Sequence, residues 1–202
     1  MAIISDGTTI ADAGAFSSSL GSMILIKTIT LGSAAATIDF LNGASDVVFD
    51  GTYPTYKFVF TNMHPASESY FTFQVDVGTG TSYAQTITSS VFKGEHAESG
   101  ATGMSYRATD DQAQGTAFQR LGSPCGDDAD ESFCGELQIF APSSGTFVKH
   151  FIGKTNTVRA EIQNYYIAGY VNTTTALTRI RFKFSSGNID AGTIKMYGIK
   201  DS

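Results

Sequence analysis

Cys125 and Cys134 bracket the run GDDADESF, which puts Asp127, Asp128, Asp130 and Glu131 between two thiols nine positions apart. Two chemistries are open to such a loop. Oxidised, the cysteines would clamp it and stabilise the chain by about 2 to 3 kcal/mol where the geometry is unstrained. Synthesis in a reducing cytoplasm would leave two free thiols instead. The four carboxylates offer the oxygen ligands that calcium collects in sets of about six to eight. Their spacing departs from the D-x-[DN]-x-[DN]-G loop with its distant Glu, and a solvated acidic loop is the simpler reading.

The three histidines are widely separated and none has the neighbours of a metal or nucleophile site. His64 precedes Pro65 in a turn. His150 alternates with Val148 and Ile152, which reads as a core or inter-sheet position. His96 lies in KGEHAES, where Glu95 and Glu98 could form a carboxylate pair or hold a metal. No G-x-S-x-G elbow, H-E-x-x-H or G-x-x-x-x-G-K-[ST] loop occurs. Carboxylate pairs for glycoside cleavage can come from any two strands, but nothing selects one pair here, so the expectation is a chain with no catalytic residues and no bound cofactor. Tyr165, Tyr166 and Tyr170, with Tyr197, could supply an aromatic patch that stacks on sugar rings. Alternation sends Tyr166 and Tyr170 to one face of a strand and Tyr165 to the other.

Composition narrows the classes of partner. Thirteen Lys and Arg stand against nineteen Asp and Glu, a net charge of −6, which argues against nucleic acid as a ligand. Charged residues make up 16%, below the roughly 25% usual for soluble domains, as expected for a surface partly shielded in an assembly. Fifteen Phe, nine Tyr and 21 Gly suit pleated, half-buried strands and their turns. No run approaches the ~18 apolar residues of a membrane span, and the first residues lack the basic opening and apolar core of a secretory signal. The expectation is a protein that is neither inserted in a membrane nor exported by a signal peptide.

The elements that must position these residues read as strands. TYKFVFT sets Tyr56, Phe58 and Phe60 on one face, and YFTFQVDV does the same for Phe71, Phe73, Val75 and Val77. MILIKTITL, ATIDFL, DVVF, YAQTITSSVF, ELQIFAP, FVKHFIGK, TVRAEIQN and YYIAGYVN are further short runs bounded by turn residues. Residues 177 to 202 read as a closing hairpin, with Ile180, Phe182 and Phe184 facing a core and Arg179, Arg181 and Lys183 facing an acidic strand or subunit. Lys93 to Glu136 reads mostly as long loops, with a strand near Met104 to Ala108. No helical stripe or fixed repeat is present. The predicted fold is all-β, an antiparallel two-sheet β-sandwich of jelly-roll type over residues 23–202, with about ten strands. Residues 1–22 are Gly/Ser/Ala/Thr-rich with scattered Ile3, Ile4, Ile10, Phe16 and Leu20. They read as an extended N-terminal arm that orders on a neighbour, or as a floppy leader.

SSGNIDAGTIKMYGIK at the end of the chain resembles the closing segment of small virion structural proteins of tailed bacteriophages, particularly marine ones. The resemblance extends through KFVFTNMHPAS (Lys57 to Ser67), FVKHFIGKTN (Phe147 to Asn156) and AGYVNTTTALTRIRFKFSSGNIDAGTIKMYGIK (Ala168 to Lys200). It implies a non-enzymatic structural protein, of tail-fibre or capsid-decoration type, assembled in the host cytoplasm and carried on the virion surface. It also implies a homo-oligomer, a trimer by analogy, held to other phage structural proteins through residues 1–22. The alternative function is a carbohydrate-binding adhesin module that recognises host surface glycans.

Overall fold

In most long strands of this chain every second side chain is apolar, and a pleated backbone delivers those side chains to one side. Two such faces can leave water only by closing on each other. The computed structural model describes residues 2–5, 8–12, 15, 16 and 22–200, and among them the secondary structure is entirely β. In chain order the strands are β1 (Ile3–Ser5), β2 (Thr8–Asp12), β3 (Ala15–Phe16), β4 (Met23–Thr30), β5 (Ile38–Leu41), β6 (Thr55–Pro65), β7 (Ser69–Val77) and β8 (Ile87–Ala97). They continue with β9 (Thr102–Tyr106), β10 (Ala113–Gly115), β11 (Gln119–Cys125), β12 (Phe133–Phe140), β13 (Lys149–Val158), β14 (Glu161–Val171), β15 (Leu177–Phe184) and β16 (Ile189–Ile199).

The chain forms the expected antiparallel β-sandwich, with unequal layers. A nine-stranded sheet runs β10-β8-β14-β13-β12-β6-β16-β4, with β9 added beside β8, and a four-stranded sheet runs β11-β7-β15-β5. Between them the aromatic side chains interdigitate. Phe182 meets Phe58 and Phe60 of the opposite sheet, each with ring centroids 5.2 Å apart, and Phe60 meets Phe71 at 5.3 Å. All four rings are buried, each contributing about 1.5 to 3 kcal/mol of transfer free energy.

The expected C-terminal hairpin is not a hairpin. β15 pairs with β7 and β5 in the small sheet, whereas β16 pairs with β6 and β4 in the large one. The turn at Ser185 to Asn188 is therefore a corner between layers, and it lies against the parallel corner that links β6 to β7, through Ala66 N–H to Asn188 O and Ser69 Oγ to Ser186 O. Both strands still alternate, because each has its own sheet to face. The runs FVKHFIGK, TVRAEIQN and YYIAGYVN form only two long strands, β13 and β14, joined at Arg159 and Ala160. DVVF forms no strand, although Val47 and Phe49 are buried from a loop.

The middle segment is more ordered than its composition suggests. β9 and β10 extend the large sheet and β11 edges the small one. Pro124 is tolerated in β11 because an edge strand needs ladder donors on one side only. At the start of the chain, within the segment read as an arm, the described strands β1, β2 and β3 pair as a three-stranded antiparallel sheet. Folding back lets the strands satisfy one another's backbone groups. Ile3 and Ile4 are 59% and 61% exposed; Leu20 and the side chains of Ile10 and Phe16 lie outside the described residues.

Candidate functional site

The outer face of the nine-stranded sheet carries the most distinctive surface. Register across β9, β8, β14, β13 and β12 aligns Tyr106, Phe92, Tyr166, Lys154 and Glu136 in one transverse row. The next row is Ser90, Ala168, Ile152 and Gln138, and the one beyond holds Thr88, Tyr170 and His150. Phe92, Tyr106, Tyr166 and Ile152 are each about half exposed and Met104 is 86% exposed. Wet aromatics of this size on neighbouring strands are unusual unless something binds them.

The small side chains of the middle row leave a groove floored by Ser90 and Ala168. One end, of about 350 Å³, is walled by Phe92, Tyr166 and Lys154. The other, of about 440 Å³, is walled by His150 and Tyr170, and Ile152 borders both. The walls are held in place. Phe92 and Tyr106 pack edge to face at 5.3 Å, and Tyr106 donates its hydroxyl hydrogen to Asp111. Lys154 Nζ lies 5.8 Å from the Tyr166 ring centre, and Tyr170 Oη accepts from Gln114 Nε2 at 3.2 Å. Gln114 in turn accepts from Asn172 Nδ2 at 2.9 Å. The carboxylate at the groove's rim, Glu136, pairs with Lys57, which leaves Lys154 as a single cation on the wall at that end.

Behind this face lies a buried polar cluster. Asp110, 2% exposed, accepts from Arg120 Nη1 at 2.8 Å, Arg107 Nε at 3.1 Å and Tyr165 Oη at 3.0 Å. Burial pushes its carboxyl upward, but those donors outweigh burial and hold it below the usual carboxylate range. Burial pushes the Tyr165 hydroxyl up to about 12, so it stays a proton donor. A second buried carboxylate, Asp76, receives the N–H groups of Val77 and Tyr83 and the amide of Gln85, which fastens the turn between β7 and β8. The two clusters anchor loops: Asp110 ties the segment after β9 to β11 and β14, and Asp76 ties the end of β7 to the segment before β8.

The residues singled out in the sequence are scattered. Tyr165 belongs to the core, not to a glycan patch, whereas Tyr166 and Tyr170 occupy the two ends of the groove. Tyr197 shares the outer face but stands on β16, with β6, β12 and β13 between it and β14. Cys125 and Cys134 are free thiols rather than a disulfide. The first is buried, its sulfur 4.0 Å from Met63 O, and the second sits half-buried with Asn62 N–H donating to its sulfur at 3.2 Å. Asp127, Asp128 and Asp130 are exposed, and among the described residues no three His, Cys, Asp or Glu side chains are placed to share a metal. The calcium reading therefore finds no ligand set.

His150 faces water rather than the core, and Lys149 beside it points inward. His96 and Glu95 alternate to opposite faces, with Glu95 paired to Lys93. His64 does find partners, Asp190 at 2.7 Å and Asp128 O at 3.0 Å, so it fastens the acidic loop to the sheet. In the basic row, Arg181 makes a two-pronged ion pair with Asp39 of β5 and covers the ring of Tyr83, the acidic neighbouring strand that alternation called for. Sequence reasoning missed Phe92, Tyr106, Ile152 and Lys154. Pairing register was the signal that unites them, and it is not written in any one strand. No protein family, characterised protein or solved structure matches the chain.

Proposed function

We propose that this chain is a non-enzymatic structural component of a tailed-bacteriophage virion, a homo-oligomeric β-sandwich on the particle surface, in the tail or on the capsid. One lateral edge carries this reading. β4 and β5 are both edge strands, bonded to the consecutive strands β16 and β15, and they expose Met23, Leu25 and Leu41. Residues 1–22 lead directly into β4 and present Ile3 and Ile4. An unpaired strand edge with apolar side chains is a template for another chain. Its position leaves the aromatic face of β8, β14 and β13 on the far part of the sheet, free to face outward.

Association, rather than chemistry, fits the way the buried charges are used, since Asp110, Asp76 and Lys149 are each consumed in fastening loops. The resemblance of residues 57–67, 147–156 and 168–200 to phage virion proteins supplies the biological setting, with assembly in the host cytoplasm and a trimer as the expected state. Mass spectrometry of purified particles tests the placement, and their complete lack of this chain overturns it. Light scattering of the purified protein tests the state. A Met23→Asp, Leu25→Asp variant is expected to fold, to fall to monomers and to be lost from particles.

A further inference from the structure

We infer that the groove between Tyr166 and Tyr170 is a binding site for a short, uncharged oligosaccharide. A pyranose ring has apolar C–H faces and a hydroxyl rim, so its receptor needs flat aromatic surface flanked by a few fixed donors and acceptors. The groove has that composition. Phe92, backed by Tyr106, and Tyr166 offer ring surface at one end, and Tyr170 and His150 offer it at the other. Ser90, Thr88, Gln114 and Asn172 stand along the floor and the Tyr170 end, the last three linked by hydrogen bonds. The floor is made of small residues, so a ring can sit between the aromatic walls without displacing a side chain.

Charge and size choose among occupants. Glu136 is neutralised by Lys57, and Lys154 lies over the Tyr166 ring, leaving no cluster of cations to hold a sulfate, phosphate or uronate. The four-residue span from Tyr166 to Tyr170 is about 13 Å, and three adjacent strands cover about 10 Å. That footprint is far below the ~800 Å² per partner of a stable protein interface, and a second copy would bring another net −6. The groove suits a chain of a few sugar rings better than a protein face. This inference goes beyond the placement of the chain on a virion and does not depend on it.

The test uses the full chain labelled with 15N and three uncharged probes, cellotriose, chitotriose and maltotriose, with a sulfated trisaccharide as comparison. At least one uncharged probe at millimolar concentration is expected to shift amides of β8, β13 and β14. Phe92→Ala and Tyr166→Ala should each weaken it by roughly tenfold, and Ala168→Phe, which fills an exposed floor position, should abolish it while the thermal midpoint is kept. Leu25→Ala, on the far edge, should bind as the parent does. No shift with any uncharged probe overturns the inference, as does tighter binding of the sulfated probe. Sedimentation that shows self-association, lost in Ala168→Phe, would assign the groove to a second copy and overturn it too. Particle incorporation of Phe92→Ala is expected at the parent level, which separates failure at the groove from failure of the virion reading.

Discussion

Tyr165 and Asp110 lie 55 positions apart, yet the Tyr165 hydroxyl donates to the buried Asp110 carboxylate at 3.0 Å and meets Ser123 Oγ at 2.8 Å. This contact bolts the segment between β9 and β11 to β14, the central strand of the groove. Asp110→Ala would strand two guanidinium groups and the phenol, and it is expected to cost about 3 to 5 kcal/mol. Because the folded carboxyl titrates below its unfolded value, its contribution is fully present above about pH 4 and disappears as pH falls through the lower folded value. Urea midpoints measured down an acid series check both. An Asp110→Ala variant as stable as the parent at neutral pH would contradict the bolt.

His64 responds in the opposite sense. Partial burial pulls its imidazolium down, but the Asp128 carbonyl and the Asp190 and Asp127 carboxylates outweigh that and raise its pKa. A raised histidine stabilises fully below its unfolded value of about 6.5, and the gain is lost as pH rises through the higher folded value. The acidic loop should therefore loosen at mildly alkaline pH, and His64→Gln should remove the dependence. Hydrogen exchange at the amides of Asp128 and Glu131, followed across neutral pH, reads it; identical profiles in parent and variant would count against the contact.

Lys149 is wholly buried, with no carboxylate partner among the described residues. Its ammonium donates to the carbonyls of Ser144, Phe147 and Thr173 at 2.6, 2.7 and 3.3 Å, which joins the β12–β13 turn to the β14–β15 turn. Lys149→Met keeps much of the volume but leaves the carbonyls dry, with an expected cost of about 1 to 3 kcal/mol. Denaturant titration gives the number, and faster proteolysis within 141–147 should accompany it.

Phe182 touches Phe58 and Phe60 of the opposite layer and Phe40 and Phe71 of its own. Phe182→Ala is expected to destabilise by about 3 to 5 kcal/mol, whereas Phe147→Ala, at a side chain 71% exposed, should stay within about 0.5 kcal/mol. Thermal midpoints of the two variants make the comparison, and equal losses would mean the inter-sheet ring cluster is not the core.

Much of the architecture was legible in local patterns. Alternation in TYKFVFT and YFTFQVDV identified strands with one apolar face, and the absence of any helical stripe left a sandwich as the way to bury them. The same alternation separated Tyr165 from Tyr166, which the structure places in the core and on the groove wall. Pattern could not say which face is wet when both carry apolar residues. Ile152 next to His150 looked like core, yet it borders the groove, because the inward positions of β13 belong to Lys149, Phe151 and Thr155. Nor could it say that β15 and β16 part company at Ser185, since a corner between layers and a hairpin use the same turn residues.

The sequence by itself determined the class of fold, the neutral-to-acidic surface and the lack of a recognisable catalytic motif, because these follow from residue types and a two-residue period. Only the tertiary structure decided that Phe92, Tyr106 and Tyr166 form one surface, that His64 holds the acidic loop and that Asp110 meets Tyr165. Each of those joins strands far apart in the chain, and strand pairing is chosen by the burial of whole faces, an energy no single segment contains.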